Sequence, residues 1–352
     1  MDKHPRIIVS YFFGHQSVPL GKSCARALQA LGCEVLCFNS GINSPLEKYF
    51  FRPVNKILWN LGLKKIDISK NSPWNNQRFR QRLLEKAVAK FKPDIIFILR
   101  GYGFDGEYLQ YLLKKYGIKK IAGWWVKGPK WFDLMLSEAK FYDHFFCIHK
   151  EGYTVEDKIE HLPAIALDDI LYRPLHTGFD KQYANDVVFV GSWTQRRQYI
   201  IEELTDYPIS IYGPKWLRKN ILNSTIRKMV KSDGIWGEEL VELYNKTKIV
   251  INISQWDASN LSGLNLRVFD IPACGTFLIT DYSDGLKEFF RLGKEIETFK
   301  DKEELKDKIA YYLRNDDERE RIALNGYKKV LSLGTYKDKM AELLCRIGFT
   351  GL

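Results

Sequence analysis

Short apolar runs alternate with amphipathic segments along the first half of the chain. The apolar runs have the length of buried strands, and the segments between them repeat their apolar positions every three to four residues, as helices do. The predicted elements are strands at 6–13, 33–38, 94–99, 120–125 and 144–148 and helices at about 22–31, 76–91, 105–116 and 131–140. This β-α-β order predicts a mostly parallel sheet with helices on both faces.

The stretch 162–175, LPAIALDDILYRPL, interrupts this alternation with two prolines and is predicted to link two domains. After it the alternation restarts, with strands at 186–191, 209–213, 248–253 and 275–280 and helices at 195–204, 238–245 and 264–274. We therefore predict an α/β protein with one Rossmann-like domain over 1–165, a second over 176–334, and a final helix over 335–352 that packs back on the first. Two such doubly wound sheets facing each other would leave a ligand cleft at the carboxyl ends of their strands.

The composition fits two globular domains and indicates an anionic partner. The chain has 352 residues, of which 45% are hydrophobic, and a formal net charge of +11. The apolar run before Gly14 is too short for a signal peptide, and the other apolar runs have strand length, so a cytoplasmic protein is predicted. The six cysteines contain no C-x-x-C pair, which predicts reduced, buried thiols without a disulfide or a zinc site.

Much of the positive charge lies between Lys48 and Lys92, where ten further basic residues are interleaved with aromatic residues such as Trp59 and Trp74. Such a region can hold a protein on an anionic membrane surface, because the charges attract headgroups while the rings enter the interface. A solvated basic face is the alternative. A nucleic-acid-binding protein is a second function class, but no motif that reads DNA or RNA accompanies the charge, so nucleic acid is not predicted as a partner.

The stretch GHQSVPLGKS, residues 14–23, has the ending of a phosphate-binding P-loop but not its spacing. A P-loop has four residues between its first Gly and the Gly-Lys-Ser, because that length lets successive backbone N–H groups wrap a phosphate. Here six residues intervene, and Pro19 has no N–H to donate. An ATPase or kinase is therefore disfavoured.

The stretch 263–281, GLNLRVFDIPACGTFLITD, is the most informative part of the sequence. A loop that contains Gly263 leads into a predicted helix with Arg267 and Asp270 in its first turns. The helix N-terminus and the guanidinium would favour a phosphate, and the carboxylate could accept hydrogen bonds from ribose hydroxyls. Ordinary helix capping with an Arg–Asp surface pair is the alternative.

This stretch, together with the helical segments that follow it to about residue 330, resembles the C-terminal half of group 1 glycosyltransferases related to the spore-maturation protein CgeB. The resemblance continues back through GEELVELYNKTKIVINIS at 237–254 and VFVGSWTQRR at 188–197, and covers roughly 140–340. Residues 1–140 share only the layout of the family. The resemblance implies a GT-B fold, in which the first domain holds an acceptor and the second a nucleotide-sugar donor.

The implied activity is the transfer of a sugar from a UDP-, GDP- or dTDP-linked donor to a hydroxyl of a glycan, a lipid-linked or a protein acceptor, in surface polysaccharide or glycoconjugate biosynthesis. A nucleotide-sugar epimerase is the alternative within the same fold. No cofactor is expected, and the sequence lacks the Asp-x-Asp that holds a divalent cation in nucleotide-sugar enzymes of the other large fold. Arginine side chains and helix dipoles would stabilise the leaving diphosphate instead.

Carried over position by position, the resemblance assigns donor-binding residues in the second domain. The family's Arg is kept at Arg267 and its Asn at Asn265, while Asp270 replaces a ribose-binding Glu and is one methylene shorter. The positions expected at the diphosphate are Gly191, Ser192 and Arg196, and those expected at the nucleotide's heterocyclic base are Tyr212 and Gly213. Retaining relatives with a Glu-x7-Glu pair would have an acid at Ser262, so the stereochemical outcome stays open.

The first domain supplies the remaining candidates. In a GT-B protein the turn after the first strand approaches the diphosphate, which fits Gly14, and the adjacent His15 could be the base that deprotonates the acceptor. A loop histidine bonded to the backbone is the alternative for His15. Trp125 and Lys127 are candidates on the acceptor side. Relatives often carry a Trp followed by acids there, whereas here Lys127 adds a positive charge beside the expected cleft.

Overall fold

The structure is a computed structural model that describes residues 4–14, 18–69, 72–99, 103–164, 166–175, 182–257 and 261–349. Within these ranges the chain forms two compact units. Unit 1 comprises Met1–Cys147, Gly152–Leu162 and Met340–Leu352, as far as they are described, and unit 2 comprises Ile148–Glu151 and Pro163–Lys339. No helix in the described ranges is both long enough and apolar enough to cross a bilayer.

Unit 1 is built on a six-stranded parallel sheet in the order β2-β1-β3-β4-β5-β6. Its elements are β1 Arg6–Tyr11, α1 Leu20–Ala30, β2 Glu34–Asn39, α2 Arg52–Asn60, α3 Asn76–Phe91, β3 Ile95–Leu99, α4 Gly106–Tyr116, β4 Lys120–Trp125, α5 Phe132–Ala139, β5 His144–Cys147 and β6 Ile159–His161. The side chain of Asp105 caps α4 by accepting from the Glu107 N–H, and Gly117 ends the helix with a φ of +64°. A π-helical turn, Glu47–Phe51, leads directly into α2.

Unit 2 repeats this architecture with a second parallel sheet of six strands in the order β12-β11-β10-β7-β8-β9. Its elements are β7 Asn185–Val190, α6 Gln195–Ile201, β8 Ile209–Tyr212, α7 Trp216–Lys219, α8 Ser224–Met229, β9 Val230–Ser232, α9 Gly237–Asn245, β10 Thr247–Asn252, α10 Arg267–Ala273, β11 Phe277–Asp281, β12 Glu297–Phe299, α11 Lys302–Tyr312, α12 Asp316–Ser332 and α13 Tyr336–Arg346. The end of α13 belongs to unit 1, where Arg346 Nη1 donates to the His161 carbonyl at 3.0 Å.

Both faces of the second sheet are covered, because alternate residues of its central strands pack into two separate clusters. In β10, Ile249 and Ile251 join a cluster with α6, α8 and α11, whereas Val250 joins one with α9 and α10. The near-continuous apolar runs in the sequence are therefore strands buried on both sides. The predicted doubly wound α/β architecture is confirmed.

The structure differs from the predictions at several places. The helix predicted over 264–274 begins only at Arg267 and ends at Ala273. Two of the six cysteines, Cys37 and Cys345, are exposed rather than buried. The helix α2 lies inside the basic region 48–92, where no helix is predicted before residue 76.

Candidate functional site

The candidate site lies in unit 2, where β7, β10 and β11 end. Because these strands are parallel, their carboxyl ends lie at one edge of the sheet. Gln255, after β10, donates from Nε2 to Oγ of Ser192, after β7, at 3.2 Å. The Ser254 backbone N–H donates to Oδ2 of Asp281, the last residue of β11, at 3.0 Å. Polar side chains thus join the ends of three strands.

Arg197 holds the ends of β7 and β10 together. Its buried guanidinium donates from Nε and Nη2 to the Ile253 carbonyl oxygen, at 2.9 and 2.7 Å, and from Nη1 to the Ser192 carbonyl oxygen at 2.8 Å. Burial and the nearby guanidinium of Arg267 lower the pKa of Arg197 to about 9. Sequence reasoning missed Arg197 because a pair of consecutive arginines does not reveal which one points inward.

Arg196, the donor-site candidate, presents its guanidinium at the same edge. Its side chain is 30% exposed, its Nη1 lies 3.0 Å from Asp281 Oδ2, and it also donates to the Ser254 carbonyl oxygen at 3.2 Å. Burial raises the pKa of Asp281, and the ion pair with Arg196 works in the opposite direction. Asp281 ends the stretch 263–281 but is not among the predicted site residues; it orients Arg196 and also accepts from Ser254.

The loop before α10 is held by Asn265. Its Nδ2 donates to Ser254 Oγ at 3.3 Å, and its Oδ1 accepts from the backbone N–H of Arg267 at 3.2 Å. Arg267 is half-buried at the first position of α10. Since α10 has only seven residues and Leu266 provides no side-chain cap, guanidinium groups rather than a long helix dipole supply the positive charge of this site.

Asp270 lies inside unit 2 and is not part of a surface pair. It is 9% exposed, so the alternative of an exposed Arg–Asp pair is wrong. Burial raises the pKa of Asp270 well above its usual range, and the neighbouring Asp168 raises it further, while Arg267 and a hydrogen bond with Tyr172 oppose the shift. A buried carboxyl with these neighbours is costly to ionise.

We expect Asp270→Asn to stabilise the protein at neutral pH. A carboxyl whose folded pKa is raised contributes its full stability below the unfolded value, about 3.9, and loses it as the pH rises through the folded value. The substitution removes this charge and leaves an acceptor for Tyr172, so we expect a gain of about 1–3 kcal/mol at pH 7–8 and a flatter profile of stability against pH. Urea unfolding between pH 4 and pH 8 measures both.

Asp307→Asn, an exposed position on α11, is the matched control and should change neither quantity. A loss of stability at pH 7–8 in Asp270→Asn would show that the interactions of the Asp270 carboxyl stabilise the fold by more than its burial destabilises it.

Gly191, Tyr212 and Gly213 lie together where β7 and β8 end. The Gly191 N–H donates to the Tyr212 carbonyl oxygen at 2.8 Å, and the buried Trp216 donates from Nε1 to the Gly191 carbonyl oxygen, also at 2.8 Å. A Cβ on Gly213 would lie 2.0 Å from that same oxygen. The two loops touch through their backbones, which requires glycine at 213.

A short segment, 148–151, holds the loop at 261–263. Both Glu151 carboxylate oxygens accept from the Ser262 N–H, at 3.2 and 3.3 Å, and Oε2 also accepts from Ser262 Oγ at 2.9 Å. His149 is fully buried against Gly263, where an added Cβ would come within 2.3 Å of Nδ1. A carboxylate therefore does lie at Ser262, but Glu151 supplies it from a distant part of the sequence.

A cavity of about 320 Å³ opens beside Arg196. It is lined by Arg196, Asp257, Asp281, Tyr282, Asp284, Phe299 and Lys300. In the described part of the chain no cluster of three or more His, Cys, Asp or Glu could hold a metal ion.

The unit 1 candidates have different surroundings. Trp125, a candidate on the acceptor side, is a fully buried core residue in a cluster with α5, so its side chain has no exposed surface for a ligand. Lys127 is half-buried, with Nζ 5.3 Å from the Trp125 ring centroid and 4.8 Å from that of Trp131. Gly14 lies against Phe12, whose ring would be 2.8 Å from an added Cβ. His15 lies outside the described residues.

Comparison with known proteins gives concordant results. Residues 196–345 match the family model described as "Glycosyl transferase-like". Spore protein CgeB of Bacillus subtilis (strain 168) is 23% identical over 275 residues, which cover 73% of this chain and 83% of that protein. An uncharacterised protein of Aquifex aeolicus is 26% identical over 45% of this chain and 38% of its own length.

Solved structures share the fold over nearly the whole chain. Sucrose-phosphate synthase from Thermosynechococcus elongatus matches with a TM-score of 0.68 at 14% identity, over 98% of this chain and 99% of that one. HepE from Anabaena, solved with UDP-glucose, matches with a TM-score of 0.67 at 12% identity, over 97% and 100%. The predicted GT-B fold and the resemblance to CgeB are confirmed, and the match of residues 196–345 agrees with the expected glycosyltransferase activity.

Proposed function

We propose that this chain, whose residues 196–345 belong to the glycosyl transferase-like family, transfers a sugar from a nucleotide-diphosphate sugar to an acceptor hydroxyl. The observation that carries the proposal is the convergence of Arg196 and Arg267 with Ser192 and Asn265 at the carboxyl edge of the unit 2 sheet. Charge-assisted donors that a fold holds in place are what a diphosphate requires.

In the reaction, the bond between the anomeric carbon and the terminal phosphate oxygen breaks, and a bond from that carbon to the acceptor oxygen forms. The nucleoside diphosphate leaves with the negative charge, which Arg196 and Arg267 stabilise, and the acceptor proton passes to a base, for which His15 is the candidate. Asp270 is the proposed ligand of the ribose, and Tyr212 and Gly213 border the heterocyclic base of the nucleotide. Stabilisation by arginine makes a metal-independent transfer the expected mode.

A thermal-shift screen tests the donor site. UDP, GDP, dTDP, CDP and ATP, with and without magnesium, are compared, because a ligand that binds only the folded state raises Tm by mass action. UDP is the first candidate, since HepE was solved with UDP-glucose. We expect one diphosphate nucleotide to raise Tm equally with and without magnesium and to lose that effect in Arg196→Ala/Arg267→Ala.

A shift with ATP and magnesium alone would overturn the proposal in favour of a phosphate site at 14–23. No shift with any of the nucleotides would overturn the donor site itself. An epimerase is separated from a transferase by incubation with the donor sugar alone, since only an epimerase would change it.

The proposed acceptor is a hydroxyl of a glycan, a lipid-linked molecule or a protein, within surface polysaccharide or glycoconjugate biosynthesis. The proposed location is the cytoplasm. An anionic membrane surface is a further proposed partner, and the region that would bind it, 48–92, lies in unit 1.

A further inference from the structure

Residues 45–69 form a segment of unit 1 in which no described residue is buried. It consists of the π-helical turn, α2 and a return segment, residues 63–69, without regular secondary structure. Six large apolar side chains in it are more than half exposed: Tyr49 (71%), Phe50 (55%), Ile57 (60%), Trp59 (68%), Leu61 (67%) and Leu63 (54%). An exposed apolar area of this kind marks an interaction site.

The segment is nevertheless ordered by its own hydrogen bonds. Asn55 on α2 donates from Nδ2 to the Ile66 carbonyl oxygen at 2.8 Å and accepts from the Ile66 N–H at 2.7 Å. Gly62, with a φ of +72°, ends α2, and the Leu63 N–H donates back to the Leu58 carbonyl oxygen at 2.9 Å. These bonds hold the return segment against the helix and keep the apolar side chains in place.

The apolar and basic residues occupy different sides of the helix. Phe50, Val54, Ile57, Leu58 and Leu61 follow the spacing i, i+4, i+7, i+8, i+11 and form one stripe. A second stripe contains Lys48, Arg52 and Lys56, at i, i+4 and i+8. Such a short helix gains stability when its apolar face is packed, so the exposed stripe is suited to a partner that covers it.

The charge of the segment selects the kind of partner. Residues 45–69 contain five basic residues, Lys48, Arg52, Lys56, Lys64 and Lys65, and two acidic ones, Glu47 and Asp67, which gives a net charge of +3. Protein interfaces are depleted in lysine, whereas interfacial membrane helices combine lysine and arginine with tryptophan and other large apolar residues. Lys65 lies with Nζ 5.2 Å from the Trp59 ring centroid, which pairs a charge with an interfacial aromatic.

We propose that residues 45–69 bind the surface of an anionic bilayer, with the apolar stripe of α2 among the acyl chains and the lysines at the headgroups. Unit 1 would thereby be held at the membrane, where a lipid-linked acceptor is found. The proposal rests on unit 1 alone and holds whether or not unit 2 binds a nucleotide sugar.

Vesicle flotation of the full chain tests this surface. Vesicles of phosphatidylcholine alone are compared with vesicles that contain phosphatidylglycerol at about 30 mol%. We expect binding to the anionic vesicles at low salt, weaker binding at high salt, and at least tenfold weaker binding of Ile57→Ser/Leu61→Ser. Lys56→Glu/Lys64→Glu/Lys65→Glu should lose the preference for anionic lipid.

Because none of these side chains is buried, the variants should keep the Tm and the nucleotide response of the original chain. Ile221→Ser/Leu222→Ser is the matched control, since these two apolar residues of unit 2 are 69% and 98% exposed outside the segment. No flotation with anionic vesicles at low salt would overturn the proposal. So would a dimer in solution that Ile57→Ser/Leu61→Ser turns into a monomer, since a second copy would then cover the stripe.

Discussion

Replacing Arg267 with alanine is expected to lower kcat/KM for the nucleotide sugar by roughly two to three orders of magnitude. The guanidinium lies at the edge where β7, β10 and β11 end, close enough to Arg197 to lower the pKa of that group. Arg197 cannot replace its charge, because the Arg197 guanidinium is committed to the Ile253 and Ser192 carbonyl groups. Steady-state transfer rates over a range of donor concentrations measure the effect.

The loss should appear in nucleotide affinity as well as in turnover, because in the proposed site the same charge faces the diphosphate before and after the transfer. Arg267→Lys keeps the charge without the two-pronged geometry, so its kcat/KM and its nucleotide affinity should fall between those of the original chain and those of Arg267→Ala. Arg321→Ala is the matched control, since Arg321 is 68% exposed on α12 and pairs with Glu318. If Arg267→Ala and Arg321→Ala bound the nucleoside diphosphate equally well, the donor site would have to lie elsewhere.

Local sequence patterns were sufficient to predict nine of the twelve strands that the described residues form, and they missed the three-residue edge strands β6, β9 and β12. A strand buried on both faces, such as β10, is a run of apolar residues whichever neighbours it has, and the run alone identifies it. The glycines at 191 and 213 were also predictable, because they follow such runs directly. What the patterns could not show is which faces of the shorter helices are buried, and Asp270 is the example.

The long-range pairings of the site were beyond the sequence. Asp281 and Arg196 are 85 positions apart, and Glu151 is 111 positions from Ser262, so no spacing rule connects either pair. The pairing of Asp281 with Arg196 follows from the parallel sheet of unit 2, which brings together the ends of strands that are distant in the chain. Glu151 follows β5 of the other sheet, yet its segment, Ile148–Glu151, belongs to unit 2. Likewise the sequence displays the charge and the aromatic residues of 45–69, but only the structure shows that none of them is buried.

Gly213→Ala is expected to destabilise unit 2 by about 3 kcal/mol. The added Cβ would lie 2.0 Å from the Gly191 carbonyl oxygen and 2.5 Å from its carbon, and both are backbone atoms that cannot rotate away. Strands β7 and β8 would have to separate at their ends, which would break the bond from the Gly191 N–H to Tyr212 and the bond from Trp216 to Gly191. Urea unfolding of the variant and the original chain measures the difference.

Gly237→Ala is the control for Gly213→Ala, because it measures the cost of replacing a glycine where the added Cβ causes no clash. Gly237 has a φ of +61° and no heavy atom within 4 Å of an added Cβ, so this variant should cost only the left-handed strain, about 1–2 kcal/mol. Equal losses in the two variants would mean that the loops at 191 and 213 can move apart freely. A larger loss in Gly213→Ala, accompanied by weaker nucleotide binding, would mean that the close contact of these two backbones positions Ser192 and Arg196 for the diphosphate.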